Sequence, residues 1–202
     1  MRYVDQPLTK LLEDLSARTP VPGGGSGCAA AAAIGAALGA MVAAFSPPKG
    51  ADPANEPRVR DLGARLVAAR DRFASLVDED AAAYDGIRAA RKAKAPPEEV
   101  QMAVIRAMEV PLGGARACLD ALQLLLDLGR DANPRLATDL ACGALLLEAC
   151  EAGMAFNVRV NLLDIKEETR VQAAKEELDR LARSCGELRR SILDLVQGQM
   201  GA

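Results

Sequence analysis

From Gly27 to Phe45, inside the stretch "TPVPGGGSGCAAAAAIGAALGAMVAAF", the chain carries no charge and is built mostly of alanine and glycine. No other feature restricts the fold as much. Alanine favours helix but buries little area, so such a helix is held only where its neighbours come very close. Its larger side chains, Ile34, Leu38, Met41, Val42 and Phe45, fall on one stripe at helical spacing. Gly35 and Gly39 have the G-x-x-x-G spacing that admits a close helix crossing. The sequence predicts a central helix packed on several sides, with Gly35 and Gly39 at a crossing near the two-fold axis of a dimer. A transmembrane span competes on length and lack of charge. The one-sided stripe argues against it, because a span is apolar all round.

Gly23, Gly24 and Gly25 come just before the run, behind Pro20 and Pro22, and Ser26 is expected to cap the helix that follows. No Lys-Ser/Thr pair follows the glycines, so the nucleotide-binding phosphate loop is excluded. Free backbone N–H groups at a helix start suit an anion or a ring carbonyl. A plain tight turn fits equally well.

The rest of the chain reads as helices divided by loops. After a loop from Ser46 to Pro57, one helix runs from about Arg58 to Lys94. Pro96 and Pro97 break it, and a second continues to about Leu128. Pro111 and the Gly113–Gly114 pair lie inside the second and predict a kink or break. A third runs from Leu136 to Leu163, and a last from Lys166 to about Gln197. No run alternates as a strand would, and there is no internal repeat. The expected fold is all-α, a bundle of long antiparallel helices forming a single domain over residues 1–202.

Charge and residue usage narrow the function. The net charge is −3, with both signs mixed and no basic patch for nucleic acid. Cys28, Cys118, Cys142, Cys150 and Cys185 show no C-x-x-C spacing and read as reduced thiols of a cytoplasmic protein. The N-terminus reads as a short amphipathic helix without a secretory signal. The chain has no histidine. That removes imidazole acid–base chemistry and most zinc patterns, and no metal site is expected.

Two helices place polar groups where a core is expected. Asp80 lies within ~40° of Leu62, Leu66, Phe73, Leu76, Tyr84 and Ile87 in helical projection, so it is centred on an apolar stripe. Asp71, Asp78 and Asp85 point to the opposite side, where a helix should be wet. A carboxylate placed like Asp80 is either bonded to a neighbouring helix or an acid–base group whose pKa burial raises. In the third helix Asp139, Gly143, Leu146, Cys150, Gly153, Asn157 and Asn161 share one small, polar face. That face is either a cavity wall offering amide groups to a heterocycle or a seam of interhelical hydrogen bonds.

Taken together, these segments resemble a known family, the formimino-tetrahydrofolate cyclodeaminase and methenyl-tetrahydrofolate cyclohydrolase family. The Thr19 to Val42 stretch resembles its N-terminal motif. "LVDEDAAAYDGIRAA", Leu76 to Ala90, resembles its acidic helix, and "AMEVPLGGA" its Val-Pro-Leu segment. Asn133 to Leu162 resembles its Ser/Thr-Asp…Asn-Val-x-x-Asn-Leu stretch. The matches run in order over most of the chain. The resemblance implies an all-helical homodimer that binds a tetrahydrofolate derivative, with no cofactor beyond that substrate and no nucleic-acid or membrane partner. It implies one-carbon chemistry at N5 and N10. By the D-x-x-A-Y pattern the catalytic acid falls on Asp80, with Asp78 the nearby alternative. Pro22, Gly23, Gly24, Gly25, Ser26, Tyr84, Asp139, Asn157 and Asn161 would line the folate site. Cyclohydrolase is the first expectation, because the chain holds no transferase domain to deliver a formimino group. Cyclodeaminase and a non-catalytic folate-binding or scaffolding bundle are the alternatives.

Overall fold

The computed structural model describes residues 2–46 and 52–201, so residues 47–51 of the expected loop lie outside the described part. Among the described residues, six α-helices make up the body of the fold: α1 (Leu8–Ser16), α2 (Gly24–Ala44), α3 (Glu56–Lys92), α4 (Pro97–Gly129), α5 (Ala137–Leu162) and α6 (Glu168–Gly201). Among the described residues there is no strand. Helix ends follow local chemistry. The first turn of α3 holds Glu56 and a proline, and its last turn holds Arg91 and Lys92. The first turn of α4 holds Pro97, Glu98 and Glu99. Both suit the helix dipole, and proline in a first turn loses no hydrogen bond.

Helices α2 to α5 form a ring in which each runs antiparallel to its neighbours. Opposed pairs fix the register: Ser26 with Val77, Arg58 with Asp127 and Asp131, and Asn161 with Ala107. Across α2 and α5, Gly24 faces Asn157 and Gly35 faces Gly143. Helix α6 lies outside the ring against α4 and α5, tied by Arg116 to Glu177 and by Arg189 to Glu148. Leu66, Phe73, Leu122, Leu125, Leu147 and Leu178 are among the fully buried side chains. The all-α antiparallel bundle read from the sequence is the fold observed.

Helix α2 turns its smallest residues inward. Its buried face is the small one: Gly25, Ser26, Ala29, Ala32, Gly35, Ala36, Gly39, Val42 and Ala43. Ile34 is 49% exposed and Phe45 65% exposed, and of the large stripe Val42 alone is buried. Packing distance explains this. A Cβ at Gly35 would lie 3.1 Å from the Gly143 carbonyl oxygen, and one at Gly39 would overlap Leu125 and crowd Leu66. Large leucines from α3, α4 and α5 fill the ring, so α2 must offer them a nearly bare backbone. Gly35 and Gly39 thus serve the close helix crossings expected of them, here within one chain. By length and composition α2 and the Pro134–Leu162 segment could each cross a membrane; here each lies in the ring, in contact with helices on both flanks.

The break expected at Pro111 does not occur, and α4 is continuous through it. Proline removes the N–H that would bond the carbonyl four residues earlier, on Ala107. The Asn161 side-chain nitrogen donates to that carbonyl at 2.9 Å instead. A side chain from α5 replaces the missing donor, so the Ala107 carbonyl keeps a partner.

Candidate functional site

The start of α2 meets the middle of α3 at Asp80. The extended Gly23 residue precedes the helix and makes no side-chain cap. Ser26, expected to be that cap, instead lies inside the first turn and is fully buried. Its hydroxyl is 2.9 Å from Asp80 Oδ2 and 3.0 Å from the Val77 carbonyl oxygen. Asp80 therefore reaches from another helix to do what a cap residue does locally. Gly25 makes room for it: a Cβ there would run into the Asp80 carboxylate. The close approach expected of the glycines is thus partly taken up by the protein's own acid. Around Gly23 there is open space, and Gly24 is exposed.

The electrostatics of Asp80 follow from this seat. Burial pushes its carboxyl above the ordinary value of 3.8, while the Ser26 hydroxyl and backbone N–H pull it partly back. Both effects are expected of a half-buried acid at a helix start. Cys28 lies next along α2, its sulfur filling the space that a side chain at Gly153 would take. Burial raises the Cys28 thiol, and the Asp80 charge adds to the rise. Cys28 is therefore a neutral thiol beside the acid. Its place could not be read from the sequence, because it depends on a glycine in α5.

The other expected site residues separate into three groups. Asn157 joins Asp80. Its amide nitrogen bonds the Gly153 carbonyl at 2.9 Å, and its carboxamide lies against Gly24. Tyr84 sits one turn beyond Asp80 and is 46% exposed, not buried in the stripe expected for it. Pro22 is buried and leads into Gly23 through a cis Val21–Pro22 peptide.

Asn161 is committed to structure, since its amide donates to both Ala107 and Asn157 carbonyls at 2.9 Å. Its amide nitrogen thus belongs to the interhelical hydrogen-bonding seam.

Asp78 and Asp139 fall away from Asp80. Asp78 Oδ1 accepts the Tyr3 backbone N–H at 2.9 Å, and its other oxygen is buried without a partner. The face expected to be wet is exposed at Asp71 and Asp85, but at Asp78 it is covered by the N-terminal segment, which Asp78 anchors. Asp139 is in the first turn of α5. It is about five turns, roughly 27 Å, from Asn157 along the axis. Sharing a helix face did not bring them into one site. Grooves lined by Val59, Arg60 and Gly63 and by Asp120, Ser184 and Ser191 lie on other seams. Among the described residues no cluster of metal-ligating side chains is present.

Comparison with known proteins gives one consistent result. The pattern of the formiminotransferase-cyclodeaminase family matches residues 7–180. A formimidoyltransferase-cyclodeaminase of Gallus gallus is 35% identical over 173 residues, which is 82% of this chain and 32% of that protein. The chain thus spans about a third of the length of that relative. A methenyltetrahydrofolate cyclohydrolase of Methylorubrum extorquens is 24% identical over 97% of this chain and 98% of its own. The crystal structure of formiminotetrahydrofolate cyclodeaminase from Thermotoga maritima superposes with a TM-score of 0.90 at 27% identity, over 96% of both chains.

Proposed function

Since the chain belongs to the formiminotransferase-cyclodeaminase family, we propose that it is a folate one-carbon enzyme that opens 5,10-methenyltetrahydrofolate to 10-formyltetrahydrofolate. The observation that carries this reading is the Asp80 carboxylate, seated at the start of α2 with its pKa raised by burial. A base raised toward neutrality can both accept and return a proton. Ionised Asp80 takes a proton from water as the water oxygen bonds the bridging carbon. The same proton passes to N5 as the carbon–N5 bond breaks. The hydroxyl proton leaves to solvent as the formyl group forms on N10, so one proton is released per turnover. The negative charge of Asp80 also offsets the amidinium-like charge of the bridge. Open space at Gly23 and the Asn157 carboxamide give the ring a side to rest on.

The Thermotoga maritima structure favours a second reading, ring closure with ammonia release. In that reading N10 attacks the carbon of the protonated formimino group, and Asp80 carries the N10 proton to the resulting amine, which leaves as ammonia as the methenyl cation forms. One experiment separates the two. Purified protein is given methenyltetrahydrofolate while its absorbance is followed, then formimino-tetrahydrofolate while ammonia is measured. Enzymatic loss of methenyl absorbance with no ammonia from the second substrate supports the first reading. Ammonia release supports the second, and neither activity leaves a folate-binding bundle without catalysis.

The homodimer belongs to this reading. Its contact is the outward face of α2, where Ile34 and Phe45 are exposed on a helix without charge. A face of that kind is an association surface in a folded protein.

A further inference from the structure

We propose that Ser26 is a positioning residue whose hydroxyl turns between the Asp80 carboxylate and the Val77 carbonyl as Asp80 loses and gains its proton. The geometry has one oxygen within bonding range of both groups, at 2.9 Å and 3.0 Å, on a side chain with no exposure to solvent. A hydroxyl has one proton to donate and lone pairs to accept with. It cannot donate to both partners at once, so the two contacts describe two states. With Asp80 ionised, Ser26 donates to Oδ2, a charge-assisted bond. With Asp80 protonated, the acid O–H donates to Ser26 Oγ, and the Ser26 proton turns to Val77. Val77 lies mid-helix in α3 and keeps its helical bond in either state. No heavy atom moves, and the switch itself transfers no proton.

A carboxyl in water finds a partner for each charge state among mobile solvent molecules. Half-buried against Gly25, Asp80 has no such freedom, so both partners must be built in. A group that only capped α2 would need the ionised-state bond alone. The second contact, to Val77, is what marks a two-state role. Few ionisable groups intrude. From α2 the Cys28 thiol feels the Asp80 charge. From α5 the nearby polar group is the uncharged Asn157. α4 meets this part of α3 through Gly114 against Leu76. On α3 itself the neighbours are Asp78, Glu79 and Tyr84.

The positioning role rests on the reading of Asp80 as the acid–base group, but its test does not need the reaction. The Asp80 carboxyl carbon is titrated by NMR in substrate-free native protein, Ser26→Ala and Ser26→Cys. Loss of the hydroxyl removes the stronger, charge-assisted bond from the ionised form and a weaker one from the neutral form. The Asp80 pKa should therefore rise by about one pH unit in Ser26→Ala. Ser26→Cys, close in volume and a weaker donor, should fall between. The acidic limb of kcat should move by the same amount, with KM little changed. An unmoved Asp80 pKa in folded Ser26→Ala overturns the proposal. So does a lower kcat with the limb in place, which is the mark of packing alone. If Ser26→Ala does not fold, Ser26→Cys carries the comparison by the same criteria. A shifted titration in a protein that performs neither folate reaction would remove the functional reading and leave the hydrogen-bond switch standing.

Discussion

Asp80→Asn keeps the shape of the side chain at the start of α2 and removes its charge and basicity. Its kcat should fall by about 10²-fold or more, with folate binding largely intact. The sign of the pH effect follows from the direction of the shift. The reactive form is ionised and the pKa is raised, so native activity falls as pH drops through that raised value. In Asp80→Asn this limb should be gone. Asp78→Asn should spare kcat and instead loosen the N-terminal segment, because Asp78 holds the Tyr3 N–H. Steady-state rates across pH check both; a folded Asp80→Asn enzyme with near-native kcat makes the acid structural. Asp80 was legible in the sequence because helical phase alone puts a carboxylate on an apolar stripe. Its bond to Ser26 was not, because the two lie 54 positions apart. Local pattern could suggest a cap for α2 but not that the cap comes from α3.

At the level of the helix, α2 shows how far periodicity can be trusted. Its stripe of large residues was legible as a stripe, but not which side of the helix the bundle would bury. In most helices the large apolar face goes inward because it has the most area to hide. Here the ring already holds the leucines of α3, α4 and α5, and the closest approach decides instead. The Gly35–Gly143 contact leaves no room for a side chain from either helix. What is left outside needs another cover. Ile34→Glu with Phe45→Glu puts charge on that face without touching the ring, so the fold should persist and the dimer should not. Light scattering checks this: a native monomer, or a double variant that still pairs, removes α2 as the contact. Helix boundaries were legible to within a few residues because prolines and charged termini mark them. Continuity of α4 was not, because it depends on a side chain from α5.

Across the whole molecule, stability should depend on pH through an acid that the chemistry does not use. Glu151 is 2% exposed, and one of its oxygens has no partner. Burial pushes its carboxyl up; Arg159 pulls it partly back, and Glu148 adds to the rise. The folded state holds this proton where the unfolded chain releases it. Unfolded protein then binds fewer protons, so stability falls as pH rises from 4.5 through the raised value. Glu151→Gln cannot ionise. Its Tm should match the native protein near pH 4 and exceed it at neutral pH. Calorimetry that finds the same difference at both pH values would refute the assignment. The class of fold was readable because alanine content, phase and the lack of strand alternation all agree; Glu151 was not singled out, because burial by α4 and α6 is a property of the assembled bundle. The bond from Asn161 to Ala107 also makes the order of two substitutions matter. Replace Pro111 by alanine, and α4 regains its own donor, so that carbonyl no longer needs Asn161. Replace Asn161 by leucine first, and a buried carbonyl is stranded at about 1–3 kcal/mol. A lineage can shed the proline and then the asparagine, but the opposite order passes through a weakened ancestor. Two positions on different helices are thus coupled, and the cost met on the way to losing both depends on the order.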